Sequence, residues 1–524
     1  MGSVHSQLRD GILVVTLDNP PVNSLSLDLR RALFFELARA QANEQVRAAV
    51  LIGAGGVFCG GADIRALNTP AYWSYPRTIE LGAVLDGMTK PVVAAIDGSA
   101  LGGGLELAMA CHWRIATPAA RLALPEIKLG LLPGGGGTIR LPRLIGADAA
   151  AAMMLGGDPV DGRRGYELGL IDAVAESDLL EDVLRFTQQV LERQEPLRRA
   201  LDLQGRVANL DVQSWLANQY RRLEERRAYG LAERVILQCI EAGIGLSTEN
   251  AVKVSDAATR KLMNSAESKA LRYLFFAERQ AAKIGGSKTA TPQRIERVEL
   301  FGSTTLTARL NSMLRDAGVS VTAEAAQLLI ATQLRNEDEA QLLSLHESIR
   351  ADVPFAIAGT YDDWLRLRTL LPERTVLGLR FGLGRAVELV REPEGDVSSM
   401  NAVARLLRRL GKVCVACTPA PGLIVERLQD VLERQKQMLV ERGLDRREID
   451  SAYRDFVLMP GALWEPQAEI IRPCAVAMAA EGQLLLKAGI AVRASDIDVA
   501  LVAAGIFPST RGGPMFSASE ALFP

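Results

Sequence analysis

Two patterns of apolar and polar positions alternate along this chain. Short runs rich in Val and Ala, such as Pro91 to Ile96, read as buried strands, whereas the spacing over Asp178–Glu192 and Asn264–Ala282 predicts amphipathic helices. An opening strand is predicted over Gly11 to Asn19. After Ile96 the residues Asp97 to Gly104 turn into an Ala/Leu/Glu segment that predicts a helix. Residues 176 to 290 read as helical. Strand-like runs return at Arg297 to Leu300, Val319 to Thr322 and Lys412 to Thr418.

The densest candidate chemistry lies between Leu101 and Arg140. There the triplet Gly102-Gly103-Gly104 is followed by Glu106, and Glu126 stands in a Pro-Glu-Ile context further on. Two carboxylates in one apolar, glycine-rich setting suit acid/base work. Glycines at a helix start let a ligand reach N–H groups that no intrahelical carbonyl uses, which favours an anionic oxygen. Each feature also has a structural reading: glycines permit close helix–strand packing, and a Glu in a first turn complements the helix dipole. A third element shifts the balance toward chemistry. At Val57-Phe58-Cys59-Gly60-Gly61-Ala62-Asp63-Ile64 a strand end breaks into a Gly-Gly turn, a second source of backbone donors.

The 524 residues leave room for about three or four domains. With 60 basic and 62 acidic side chains, nothing global points to nucleic acid or an anionic membrane. No uninterrupted apolar span of membrane length occurs and the N-terminus has no signal-type apolar region, so a cytoplasmic protein without a membrane partner is expected. The C-terminus, Ser519 to Pro524, lacks a Ser-Lys-Leu-like peroxisomal address. Six scattered cysteines do not form a disulfide framework; Cys414 and Cys417 have redox spacing, but in a strand they face opposite sides and read as structural thiols. With only His5, His112 and His346 present, no metal site is expected.

Phe58 to Ile64, Leu101 to Cys111 and Leu124 to Gly134, in this order and spacing, resemble the crotonase (enoyl-CoA hydratase/isomerase) superfamily. Gly11 to Asn23 and Gly165 to Val174 support the resemblance, and Ala110 to Ala116, with His112 where many hydratases carry Asp, resembles the multifunctional β-oxidation enzymes. By that resemblance the N–H groups of Ala62 and Gly103 form an oxyanion hole for an acyl-CoA thioester carbonyl. Glu106 orients and deprotonates water, Glu126 delivers a proton to C2, and Asp63 and Ile64 lie on the coenzyme A side. Both glutamates are retained, which favours hydration over the Δ3–Δ2 isomerisation that needs one base. Isomerase, hydrolase or decarboxylase chemistry and a non-catalytic acyl-CoA-binding subunit remain alternatives. Coenzyme A enters as part of the substrate, hydration itself requires no cofactor, and the acyl chain and oligomeric state stay open.

Beyond residue 290 the chain resembles 3-hydroxyacyl-CoA dehydrogenase with its chemistry eroded. Phe301-Gly302-Ser303-Thr304-Thr305-Leu306-Thr307 retains one glycine of the dinucleotide fingerprint, and Thr304 and Thr307 replace the others, which argues against NAD. The stretch Leu377 to Val390 lacks the family's catalytic His, Ala356 to Asp363 stands where the family has Asn-Thr-Ser-Ser after an apolar strand, and Glu426 stands for its Asn. The alternative of an active bifunctional hydratase/dehydrogenase needs a substitute base. The fold class expected is α/β: a crotonase core of ββα spiral type at 1–200, a helical extension and linker helix at 201–290, a degenerate Rossmann-like domain at 291–410, and all-α dehydrogenase-type repeats at 411–465 and 466–524.

Overall fold

The computed structural model describes residues 2–67, 69–226, 230–284, 294–332, 334–350, 352–382, 384–390, 396–458 and 467–520. The loop expected at 285–292, the join near Trp464 and residues 521–524 lie outside them. Two compact units result, Met1–Ser268 and Lys269–Pro524.

In the first unit, β1 (Ser3–Arg9), β2 (Ile12–Asp18), β3 (Ala48–Gly53), β4 (Val92–Ile96), β6 (Trp113–Ala116) and β8 (Ala173–Val174) form one sheet in that order, antiparallel only between β1 and β2. All five residues of β4 are buried, as the unbroken apolar run requires of a strand covered on both faces. β5 (Ser99–Leu101) and β7 (Arg121–Ala123) pair in parallel beside that sheet. Between them the helix Gly103–Ala110 is buried along its whole length, so it is apolar on every side except at Glu106. This strand–strand–helix spiral delivers both glutamates to one region.

The helical stretch divides where capping chemistry divides it. Asp178 accepts from the Glu181 N–H and starts Leu179–Arg193. Helices Val212–Arg226, Leu231–Gly245 and Thr248–Asn264 follow. The amphipathic pattern expected from Asn264 starts instead as a new helix at Ala266, because Ser265 is extended and its hydroxyl accepts from the Ser268 N–H at 3.1 Å.

The second unit holds a seven-stranded sheet ordered β10 (Ser320–Val321), β9 (Arg297–Phe301), β11 (Leu328–Ala331), β12 (Phe355–Ile357), β13 (Val376–Phe381), β14 (Ala386–Val390), β15 (Val413–Cys417). Only β13 and β14 run antiparallel. β15 pairs in register with all of β14 and is buried throughout, so the α/β part extends past the boundary expected at 410. Cys414 and Cys417 enter different apolar clusters on the two faces of this sheet. Helices Val425–Glu441, Arg446–Leu458, Ala468–Lys487, Ala494–Ala503 and Pro514–Ser519 pack against the face that holds Cys417. Among the described residues no helix is long and apolar enough to cross a membrane.

Candidate active site

The glycine triplet resolves into three separate requirements. Gly102 has φ +53°, and a Cβ there would lie 2.7 Å from Glu126 Oε1. Gly103 opens the helix, so its N–H has no intrahelical acceptor, and a Cβ on it would sit 3.4 Å from the Ala62 nitrogen. Gly104 serves packing alone: a Cβ would strike Cys59 O at 2.3 Å. The Gly61 turn, at φ +89°, brings Ala62 to this place, where a side chain on Gly61 would meet Leu101 O at 2.5 Å. The two candidate backbone donors therefore stand side by side.

Glu106 is 3 % exposed. Its Oε1 accepts from the Gly135 N–H at 2.7 Å and the Gly137 N–H at 2.8 Å. Burial pushes its pKa up to about 7, partly countered by the Gly137 and Gly135 bonds and by the Arg140 guanidinium. Glu126 sits in the turn Pro125–Leu129, and its shielded Oε2 has no hydrogen-bond partner. Burial first, and then the neighbouring Glu106 charge, raise it well above the ordinary carboxylate range. The arrangement thus biases the two carboxyls apart, Glu126 toward holding its proton and Glu106, with its two backbone bonds, toward ionising.

Ala62, Asp63, Ile64, Gly103, Glu106 and Glu126 all line one cleft. The Asp63 carboxylate accepts from the Arg65 N–H at 3.1 Å and its Nε at 3.0 Å; the Arg65 side chain holds its pKa below the usual value. His112 is elsewhere: its Nδ1 accepts from the Val92 N–H at 3.0 Å, and burial lowers its pKa to about 4, leaving a neutral structural ring. Among the described residues no group of three His, Cys, Asp or Glu side chains is placed to hold a metal.

Sequence reasoning missed the seat of Glu106. The run Gly134 to Gly137 wraps its carboxylate, and a Cβ at Gly135 would lie 2.5 Å from Glu106 Oε2. Arg140 is 3 % exposed; it donates to Gly135 O at 3.3 Å and pairs with Asp86 at 2.5 Å, steadying the loop from behind. Four consecutive glycines were the available signal.

In the second unit, β9 is followed by Gly302, φ +107°, before the helix Thr305–Asp316. Thr304 Oγ1 accepts from the Thr307 N–H at 3.2 Å, and Thr307 Oγ1 accepts from the Thr304 N–H at 3.0 Å. Thr332 Oγ1 joins Thr307 Oγ1 at 2.7 Å. Side chains of the chain itself thus occupy this helix N-terminus. Glu388, on β14, is buried and accepts from the Ile424 and Val425 N–H groups at 2.7 and 3.2 Å.

The enoyl-CoA hydratase/isomerase family model matches residues 7–208. Over 519 residues the chain is 30 % identical to the peroxisomal bifunctional enzyme of Danio rerio, covering 86 % of this chain and 70 % of that protein. Over 304 residues it is 36 % identical to the glyoxysomal fatty acid beta-oxidation multifunctional protein of Cucumis sativus, covering 56 % of this chain but 42 % of that protein, so it spans under half of that relative's length. An enoyl-CoA hydratase structure from Mycobacterium tuberculosis is similar over 50 % of this chain and 99 % of that one, with 28 % identity and a TM-score of 0.36. The names of these two relatives place them in peroxisomes and glyoxysomes. With the hydratase/isomerase model over its N-terminal part and a bifunctional relative aligned along most of its length, the chain belongs to the family of multifunctional β-oxidation enzymes built on an enoyl-CoA hydratase/isomerase domain.

Proposed function

We propose that this chain adds water across the 2,3 double bond of a trans-2-enoyl-CoA to give a 3-hydroxyacyl-CoA. The observation that carries the reading is the meeting of two differently held glutamates and two adjacent backbone donors in one cleft. The thioester carbonyl oxygen lies against the N–H groups of Ala62 and Gly103, which take up the negative charge that develops on it. One such donor is worth roughly a hundred- to a thousand-fold in rate. Glu106 takes a proton from water as the water oxygen bonds to C3. Glu126 gives its proton to C2 as the enolate collapses, and the transferred proton returns from Glu106 to Glu126 through solvent. Each acid/base contribution is of the order of a hundred- to ten-thousand-fold.

The same Glu126 supports a side activity, the shuttling of one proton between C2 and C4 in Δ3–Δ2 isomerisation. For the second unit we favour a part without dehydrogenase turnover. The threonine cap at Thr304 and Thr307 does not fit a pyrophosphate at that helix N-terminus, and the described part of Leu377–Val390 offers Glu388 already engaged by Ile424 and Val425. Turnover in deuterated water tests the main reading. The expected product carries one deuterium on C2 and a hydroxyl on C3; a shifted double bond without added water contradicts it.

A further inference from the structure

Glu106 is tied to an acidic residue that does not itself line the cleft. The helix Gly137–Ile145 supplies two links of the tie. Its first N–H, from Gly137, donates to Glu106 Oε1 at 2.8 Å, and one turn on it carries Arg140. The Arg140 guanidinium donates to Gly135 O at 3.3 Å, while the Gly135 N–H donates to Glu106 Oε1 at 2.7 Å. Gly135 is therefore held at its carbonyl by the cation and at its nitrogen by the base. On its other side Arg140 Nη2 meets Asp86 Oδ2 at 2.5 Å, at the end of the helix Thr78–Gly87.

Two glycines make room for this guanidinium. A Cβ at Gly136, φ +105°, would lie 2.0 Å from Arg140 Nη1, and one at Gly82 would lie 2.9 Å from Nη2. The Asp86 side chain is 13 % exposed, its Oδ1 is shielded without a hydrogen-bond partner, and its backbone carbonyl accepts from Arg199 Nε at 2.7 Å. Helix, cation and carboxylate are thus fixed before any ligand arrives, which is the condition for holding a base within a fraction of an ångström.

We infer that Asp86 is a positioning residue for hydration, acting through Arg140 and the Gly135 peptide to set where the Glu106 carboxylate stands when it takes the proton of water. The inference rests on the hydratase reading above. Three groups act electrostatically around Glu106: Arg140, Glu126 from the turn Pro125–Leu129, and Tyr72 from the short helix Pro70–Trp73. Arg140 itself faces Asp86 and Arg143, and Asp86 also feels Arg199 and Asp202. Arg140 favours the ionised form of Glu106, and Asp86 offsets part of that cation's field.

The experiment measures kcat, KM and the pH profile of kcat/KM on crotonyl-CoA in wild type, Asp86→Asn, Arg140→Met and the double variant. Each single substitution is expected to lower kcat by about ten- to a hundred-fold with KM little changed. The rising limb of the profile is expected to move in opposite directions. It goes to lower pH in Asp86→Asn, where the Arg140 charge is no longer offset, and to higher pH in Arg140→Met, where Glu106 loses its cation. The double variant is expected to be no slower than Arg140→Met, because Asp86 acts only through Arg140. Asp86→Asn is isosteric and keeps the test decisive should Arg140→Met fail to fold. Wild-type kcat in Asp86→Asn overturns the inference, as do losses that multiply in the double variant with both limbs unmoved, the mark of an ion pair that only holds two helices together. A wild type inactive on every enoyl-CoA overturns the hydratase reading beneath it instead.

Discussion

Glu106 and Glu126 line the same cleft, yet Glu106 Oε1 accepts two backbone N–H bonds while Glu126 Oε2 accepts none. Two carboxyls alike in sequence context are thereby driven toward different protonation states, which is what a base and an acid acting together require.

A bell-shaped pH profile is the first consequence. Glu106 must be ionised to act as base, so kcat/KM rises as pH passes its pKa of about 7. Glu126 must be protonated to act as acid, so activity falls at higher pH, where its strongly raised pKa is passed. The two limbs belong to the pair as a whole. A steady-state profile for one enoyl-CoA checks this, and a rising limb at the ordinary carboxylate value would contradict it.

The glycine seat should be as sensitive as the carboxylate it holds. A Cβ at Gly135 meets Glu106 Oε2 at 2.5 Å, so Gly135→Ala must displace the base or its loop. The expected loss in kcat is about a hundred-fold, the scale of an ångström-sized misplacement, with KM little changed. Steady-state kinetics alongside a circular dichroism spectrum separate this from misfolding.

Glu388 offers a stability test in the second unit. Burial raises its folded pKa to about 7 against an ordinary 4.5, despite the Ile424 and Val425 bonds. Such a carboxyl binds its proton more tightly folded than unfolded, so its contribution to stability falls as pH climbs through that interval and is lost above it. The loss is on the order of 3 kcal/mol at most. Glu388→Gln, which has no proton to release, should therefore unfold in urea with a weaker pH dependence than wild type and gain most at alkaline pH. Parallel urea titrations at about pH 5, near the bottom of that interval, and about pH 8, above it, check the sign.

How much of this was legible in the sequence follows the range of the interactions. The β4 run, the helix after Gly102 and the two glutamates are local patterns, and they could be read residue by residue. β1 was missed because most of it is exposed and its residues are largely polar, leaving little apolar periodicity. The β15 strand was legible as a strand, but its membership in the second sheet depends on pairing with β14, which no local pattern encodes. The binding of Glu106 by Gly135 and Gly137, and the approach of Thr259 and Asp256 to the cleft, join segments far apart in the chain. Only tertiary packing brings them together.

The most direct measurement follows loss of enoyl absorbance and formation of NADH together, with purified protein, NAD and a panel of trans-2-enoyl-CoAs, in wild type, Glu106→Ala and Glu126→Ala. The expected result is enoyl loss in wild type, abolished by either substitution, with no NADH at any point. Enoyl loss that survives both substitutions would contradict the assignment of the glutamates, and NADH formation would contradict a silent second unit.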